Sequence, residues 1–131
     1  ESAFFNCAKL TSIIIPDSVV YMANMVFSKC SSLQSVTLPV NLTSFSLQLF
    51  SYCSRLTSIN IPSAIENIHT GSFAYCTSLT EFHYPEKSKI DTIFSSTFQG
   101  CSKLTLISFN ENIRSIKTGA FEDCTNDIIR V

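Results

Sequence analysis

The sequence contains no tryptophan and, in 131 residues, only three glycines, four prolines and two histidines. Each scarcity removes a class of function. So few glycines leave no glycine-rich loop to cradle a phosphate. His69 and His83, without any C-x-x-C pair, do not make an ordinary zinc set, so no metal or other cofactor is expected. Charged residues are 15% of the chain and the formal net charge is -1. That balance provides neither the basic footprint of a nucleic-acid binder nor a field for steering a charged partner. The 45% hydrophobic content is cut into short pieces, none near the ~20 apolar residues of a membrane helix. Nothing at the start resembles a signal peptide, and residue 1 is a glutamate in mid-pattern, as in a segment of a longer protein.

What is present is a register. Phe4, Phe27, Phe50, Phe73, Phe98 and Phe121 stand three residues before Cys7, Cys30, Cys53, Cys76, Cys101 and Cys124, with spacings of 23, 23, 23, 25 and 23. Leu10, Leu33, Leu56, Leu79 and Leu104 follow the first five cysteines by three, so the anchor reads F-x-x-C-x-x-L. A fixed period of this length predicts a solenoid in which each coil touches only its neighbours. Residues 1–131 then form one solenoid domain of about five 23-residue coils with partial ends. A single coil cannot bury enough apolar surface to offset the entropy of ordering its backbone, so the coils must stack and pair their strands in parallel.

Within a coil, Ile13 and Ile15 are two apart and share one face of a strand, with Ile14 on the other; the equivalents are Val36 and Leu38, Ile59 and Ile61, Phe82 and Tyr84, and Ile107 and Phe109. Pro16, Pro39, Pro62 and Pro85 stop the strand, having no N–H for the ladder. Apolar pairs three apart, such as Leu42 with Phe45 and Ile65 with Ile68, line the opposite wall. The stretch T-G-S-F-A-Y-C reads as a turn at Gly71, repeated at Gly119, leading into one helical turn. Val26 and Leu49, larger than the residues at this position in the other coils, predict a slight bulge. The expected fold is an α/β-type solenoid, mainly β, with a parallel sheet on one face and short turns or single helical turns on the other.

The six cysteines occupy one position each, so they read as free thiols filling one internal column and not as a disulfide framework. The departures from the pattern are Asn110 in place of proline, which loosens the fifth coil, a two-residue insertion after Pro85, and Asp127 where a leucine is due. The final residues read as a frayed or shifted strand with no polar cap. Unpaired edges at residues 10–15 and 128–131 make end-to-end self-association an expectation.

For chemistry there is little. Each serine and threonine falls on a repeated surface position without an adjacent base, both histidines read as solvent-facing, and the ten carboxylates form no recurring glycosidase pair. No catalytic residue is assigned and the chain reads as a non-enzyme. The better candidate is the outward strand face, made of Ser12, Ser35, Ser58, Glu81 and Leu106 with Ile14, Thr37, Asn60, His83 and Ser108. Its most polar part is Glu81 beside His83, flanked by Ser58 and Asn60 below and Ser108 above. The insertion adds Glu86, Lys87 and Lys89, since a repeat insertion maps to a loop on one face. A protein partner is expected, and the Tyr52 and Tyr75 column is the alternative surface.

The stretch L-T-S-I-N-I-P-S-A-I-E-N-I-H-T-G-S-F-A-Y-C resembles the BspA-like, or Treponema pallidum type, class of leucine-rich repeat. The resemblance implies a right-handed leucine-rich repeat coil in a surface or secreted protein, acting in adhesion to host extracellular proteins or cells. An intracellular scaffold, or the repeat region of a larger cell-wall enzyme, stays open. Asn41-Leu42-Thr43 is an N-glycosylation sequon usable only in a eukaryotic secretory pathway.

Overall fold

The structure, a computed structural model, describes residues 2–124 and 127–131. Among the described residues nine short strands follow in order: β1 (Ser12–Ile14), β2 (Ser35–Thr37), β3 (Ser44–Phe45), β4 (Asn67–Ile68), β5 (Glu81–His83), β6 (Thr92–Ile93), β7 (Leu106–Ser108), β8 (Ser115–Ile116) and β9 (Ile129–Arg130). Every pairing is parallel, as stacking of equivalent segments requires. One wall carries β1-β2 and β5-β7-β9; the second carries β3-β4 and β6-β8. On the first wall the middle residue of each of β1, β2, β5 and β7 is turned toward the core, with Val36, Phe82 and Ile107 buried and Ile13 half-buried. The third coil places Ile59, half-buried, at the equivalent position but has no strand there, so the ladder on this wall is interrupted. The second wall, expected only as an apolar lining, is itself strand-paired through Phe45 with Ile68 and Ile93 with Ile116.

The third side departs from expectation. No helix occurs among the described residues, because two positions in each coil take the left-handed backbone. These are Ser2, Met25, Gln48, Gly71, Ser96 and Gly119, two before the phenylalanine, and Asn6, Lys29, Tyr52, Tyr75, Gly100 and Asp123, two after it, with φ between 53 and 72°. A non-glycine residue there costs about 1 kcal/mol or more, and a helical turn cannot form across such alternation. Instead each segment makes successive tight turns, such as Ser51 N to Gln48 O at 3.3 Å and Cys53 N to Phe50 O at 3.2 Å. The freed groups pair between coils: Phe50 N donates to Ser72 O at 2.8 Å and Tyr52 N to Ala74 O at 2.7 Å. The ladder runs past Val26 and Leu49 at 3.0 and 3.1 Å, so the expected bulge is absent there.

The core is one continuous apolar cluster. Its spine is the phenylalanine column, whose successive rings stack at 5.3, 5.4, 5.8, 5.9 and 5.4 Å with interplanar angles of 5–13°. All six cysteines are free; the inner four are buried, while Cys7 and Cys124, in the outermost coils, are half-buried. Each later thiol donates to the phenylalanine carbonyl of the coil before it: Cys30 to Phe4, Cys53 to Phe27, Cys76 to Phe50, Cys101 to Phe73 and Cys124 to Phe98, at 3.1–3.2 Å. The column is therefore a hydrogen-bond ladder and not only a filled slot.

Asn110 does not loosen its coil. It is buried, its Oδ1 accepts from the backbone N–H of Asn112 at 2.9 Å and Ile113 at 3.0 Å, and its Nδ2 donates to Ser88 Oγ at 2.7 Å and Ile90 O at 3.2 Å. Asn112 Nδ2 donates to Ser88 O at 2.9 Å. Thus Ser88, in the insertion, is buried and the loop is tied to the next coil. At the last strand the register is kept, neither frayed nor shifted: Arg130 lies opposite Ile107, with its guanidinium 5.8 Å above the Phe109 ring. A charged side chain here occupies a column that is apolar in the earlier coils, while Ile129 and Val131 beside it are exposed.

Three outcomes follow from this packing. Burial first, with the neighbouring Cys30 adding to it, pushes the Cys53 thiol from its ordinary 9.0 up to about 12. The folded protein then holds a proton that the unfolded chain releases. Its stabilising contribution is complete below pH 9 and is lost between pH 9 and about 12, at about 1.4 kcal/mol per pH unit for one thiol. Urea midpoints measured from pH 8 to 11 should fall steeply above 9. Asn110→Pro, although it restores the repeat's own residue, should destabilise by about 2–4 kcal/mol in urea unfolding, because it strands buried donors and acceptors around Ser88. Tyr84 Oη is the one buried side-chain oxygen or nitrogen without a partner among the described residues. Tyr84→Phe should consequently melt at the same temperature or higher.

Candidate functional site

The outward strand face is presented by pleat geometry, since residues flanking each buried strand centre must point away from the core. Of its ten residues eight are exposed, while Leu106 and Ser108 are half-buried. Parallel register sets Glu81 beside Leu106 and His83 beside Ser108. His83 Nδ1 lies 2.7 Å from Ser108 Oγ, and His83 Nε2 lies 3.6 Å from Glu81 Oε2, with the histidine and glutamate side chains 53% and 49% exposed. Carboxylate, imidazole and hydroxyl thus form one connected line across two coils.

This arrangement corrects the expectation that no hydroxyl has a neighbouring base. It does not by itself make a nucleophile. An activated serine needs oriented donors for the developing oxyanion and exclusion of water, whereas half of the histidine and of the glutamate side chain faces solvent on a sheet surface. What the line can do is offer a carboxylate, an imidazole and a hydroxyl at fixed spacing.

The other candidates separate. Ser58 and Asn60 are exposed on the third coil, where the strand ladder is interrupted, and Asn60 borders a small cleft of about 180 Å³ with Thr37, Val40 and Pro62. Glu86 and Lys87 line a groove of about 610 Å³ with Phe109, Asn110, Glu111 and Asn112. Lys89 reaches back to Glu66 Oε1 at 3.4 Å, an exposed pair of little energetic weight. His69 is not solvent-facing: it is half-buried and tilted against Phe94 at 5.1 Å. Among the described residues no group of three or more histidine, cysteine, aspartate or glutamate side chains could hold a metal ion, and no helix is long and apolar enough to cross a membrane. Asn110, Asn112 and Ser88 were missed as the loop's anchor. The available signal was an amide residue standing in a proline position directly beside an insertion.

The geometry of stacked 23-residue coils has close parallels. A leucine-rich repeat protein from Bacteroides ovatus superposes with a TM-score of 0.87 at 36% identity, covering 93% of this chain and 31% of that one. The T. pallidum leucine-rich repeat protein matches with a TM-score of 0.77 at 24% identity over 88% of this chain and 59% of its own, and shares the fold. A leucine-rich cell surface protein from Faecalibacterium prausnitzii matches with a TM-score of 0.68 at 26% identity, over 88% of this chain and 37% of its own. The chain thus spans between about a third and three fifths of the proteins it resembles. None of the curated proteins matches it. Residues 1–127 match the BspA-type leucine-rich repeat region in six copies, equal to the six phenylalanine–cysteine anchors, and the chain belongs to that family.

Proposed function

We propose that this chain is a non-catalytic recognition module that binds a protein partner through its outward strand face, in a surface or secreted protein working in adhesion or host interaction. The observation that carries the reading is the Glu81–His83–Ser108 line, a fixed polar pattern on a face that other coils fill with small or aliphatic residues. Solenoids bind extended partners along such continuous surfaces. Ser58 and Asn60 extend the face toward the third coil, and Glu86 and Lys87 supply charge at the corner after β5, while Lys89 turns back to Glu66. The Faecalibacterium relative, described as a cell surface protein, supports the location. Repeats of this kind without a water-excluding cleft at their polar side chains support the non-catalytic part.

The test replaces Glu81 and His83 with serine, the residue type found on neighbouring coils, and measures binding to immobilised host extracellular-matrix proteins by surface plasmon resonance. The double variant should bind at least tenfold more weakly, with a melting temperature close to the parent's, since each surface change costs within about 0.5 kcal/mol. Equal affinity for a matrix protein that the parent demonstrably binds would overturn the placement of the site.

A further inference from the structure

The turn side of the solenoid carries a feature that the strand face does not use. The column two residues after each phenylalanine reads Asn6, Lys29, Tyr52, Tyr75, Gly100 and Asp123, all in the left-handed backbone at φ between 59 and 70°. Asparagine, aspartate and glycine tolerate that conformation. Tyrosine does not, and neither do Lys29 in the same column or Met25 and Gln48 two residues before the phenylalanines, so the conformation belongs to the turns of the solenoid and what sets Tyr52 and Tyr75 apart is their side chains. Tyr52 is 47% exposed.

The two rings are built as a unit. They stack at 4.9 Å between centroids with an interplanar angle of 12°. A Cβ placed on Gly100 would come within 2.4 Å of Tyr75 Cδ1, so the ring occupies the space that a side chain on the next coil would fill. On the other side, Lys29 extends over the Phe5 ring at 5.5 Å, and the Tyr52 face turned away from Tyr75 has no ring partner among the described residues. Both backbones are pinned between coils, Tyr52 N to Ala74 O at 2.7 Å and Tyr75 N to Gln99 O at 2.6 Å. The result is a rigid aromatic ledge with one open face.

The surroundings select the ligand. Gln48 is exposed on the same coil. Ser54 Oγ and Thr77 Oγ1, two residues beyond each tyrosine, donate to Ser31 O and Ser54 O, which leaves their own lone pairs free to accept. A protein partner needs roughly 800 Å² on each side around an apolar centre, whereas a pair of aromatic rings supplies about 150–250 Å² each. A sugar ring has an apolar C–H face to lay on an aromatic ring and a rim of hydroxyls to meet amides and hydroxyls. We propose that Tyr52 and Tyr75 form a stacking platform for a neutral saccharide chain, independent of the Glu81 and His83 face.

The chain has no tryptophan and four tyrosines, two of them Tyr52 and Tyr75, so ligand on the platform should change tyrosine emission, and the Tyr52→Asn variant assigns that change. The probe is a panel of neutral hexasaccharides of glucose, mannose, xylose and N-acetylglucosamine, titrated by calorimetry and by tyrosine fluorescence. At least one should bind the parent and change its emission. Tyr52→Asn, which installs the residue found at position 6 of the same column, should lose at least tenfold in affinity while melting within a few degrees of the parent. Tyr52→Phe should keep binding, and the Glu81→Ser/His83→Ser variant should bind the saccharide as the parent does, separating this site from the protein-binding face. No binding by any member of the panel, or undiminished binding by Tyr52→Asn and Tyr75→Asn, would overturn the platform. A large fall in melting temperature for Tyr52→Asn would also count against it, by making the stack a structural device.

Discussion

The bond from a cysteine thiol to the phenylalanine carbonyl one coil earlier recurs at every step and, together with the backbone ladders, holds successive coils at one spacing. At each step the same carbonyl also accepts the backbone N–H of the cysteine in its own coil, as Phe27 O does from Cys30 N at 3.2 Å and from Cys53 Sγ at 3.2 Å. One oxygen therefore closes a turn and fastens the next coil to it. With that distance fixed, the phenylalanine rings of successive coils can only stack nearly parallel. Serine would be a stronger donor but a poorer apolar filler; the thiol serves both demands in a buried column.

This frame explains how the coils absorb irregularity. The two-residue insertion lengthens the sequence separation of the Cys101 to Phe73 bond to 28, against 26 elsewhere, yet the bond remains 3.2 Å. The extra residues are pushed out at the corner after Pro85, where Asn110 and Asn112 satisfy their backbone through Ser88. In the third coil the first wall loses its strand, while the turn ladder through Phe50 and Tyr52 continues unbroken. Outward side chains, unlike the backbone that carries them, take no part in the ladders and are free to vary, and the two candidate surfaces are made of such side chains.

The legible parts of the fold were those expressed as periodic side-chain chemistry. Phenylalanine, cysteine and leucine at fixed spacing identified the solenoid, and counting from the cysteines placed Glu81 against Leu106 and His83 near Ser108, as the register has them. What failed was information carried by the backbone. Met25, Gln48 and Tyr52 give no compositional sign of a left-handed conformation, so the turn side was read from Gly71 and Gly119 as a helical start. Two-residue strands such as β4 are too short to show a period of two. Asn110 was read through what it lacks relative to proline, when its side chain supplies the bonds that a loop without regular structure needs. The hydroxyl contact of His83 needed coordinates, since sequence fixes neighbours on a sheet and not the rotamers that join them.

The same chemistry changes what six free cysteines say about location. Unpaired thiols ordinarily lean toward a reducing compartment. Here each inner thiol is committed as a donor to a carbonyl, and a disulfide between neighbours would remove two donors and leave two buried acceptors weakened. Burial also pushes the inner thiols up, so that little thiolate exists at neutral pH. The thiolate is the species that oxidises and exchanges. A protonated, enclosed thiol column is thus chemically quiet in an oxidising medium, and free cysteines stand in no conflict with a protein that works outside the cell.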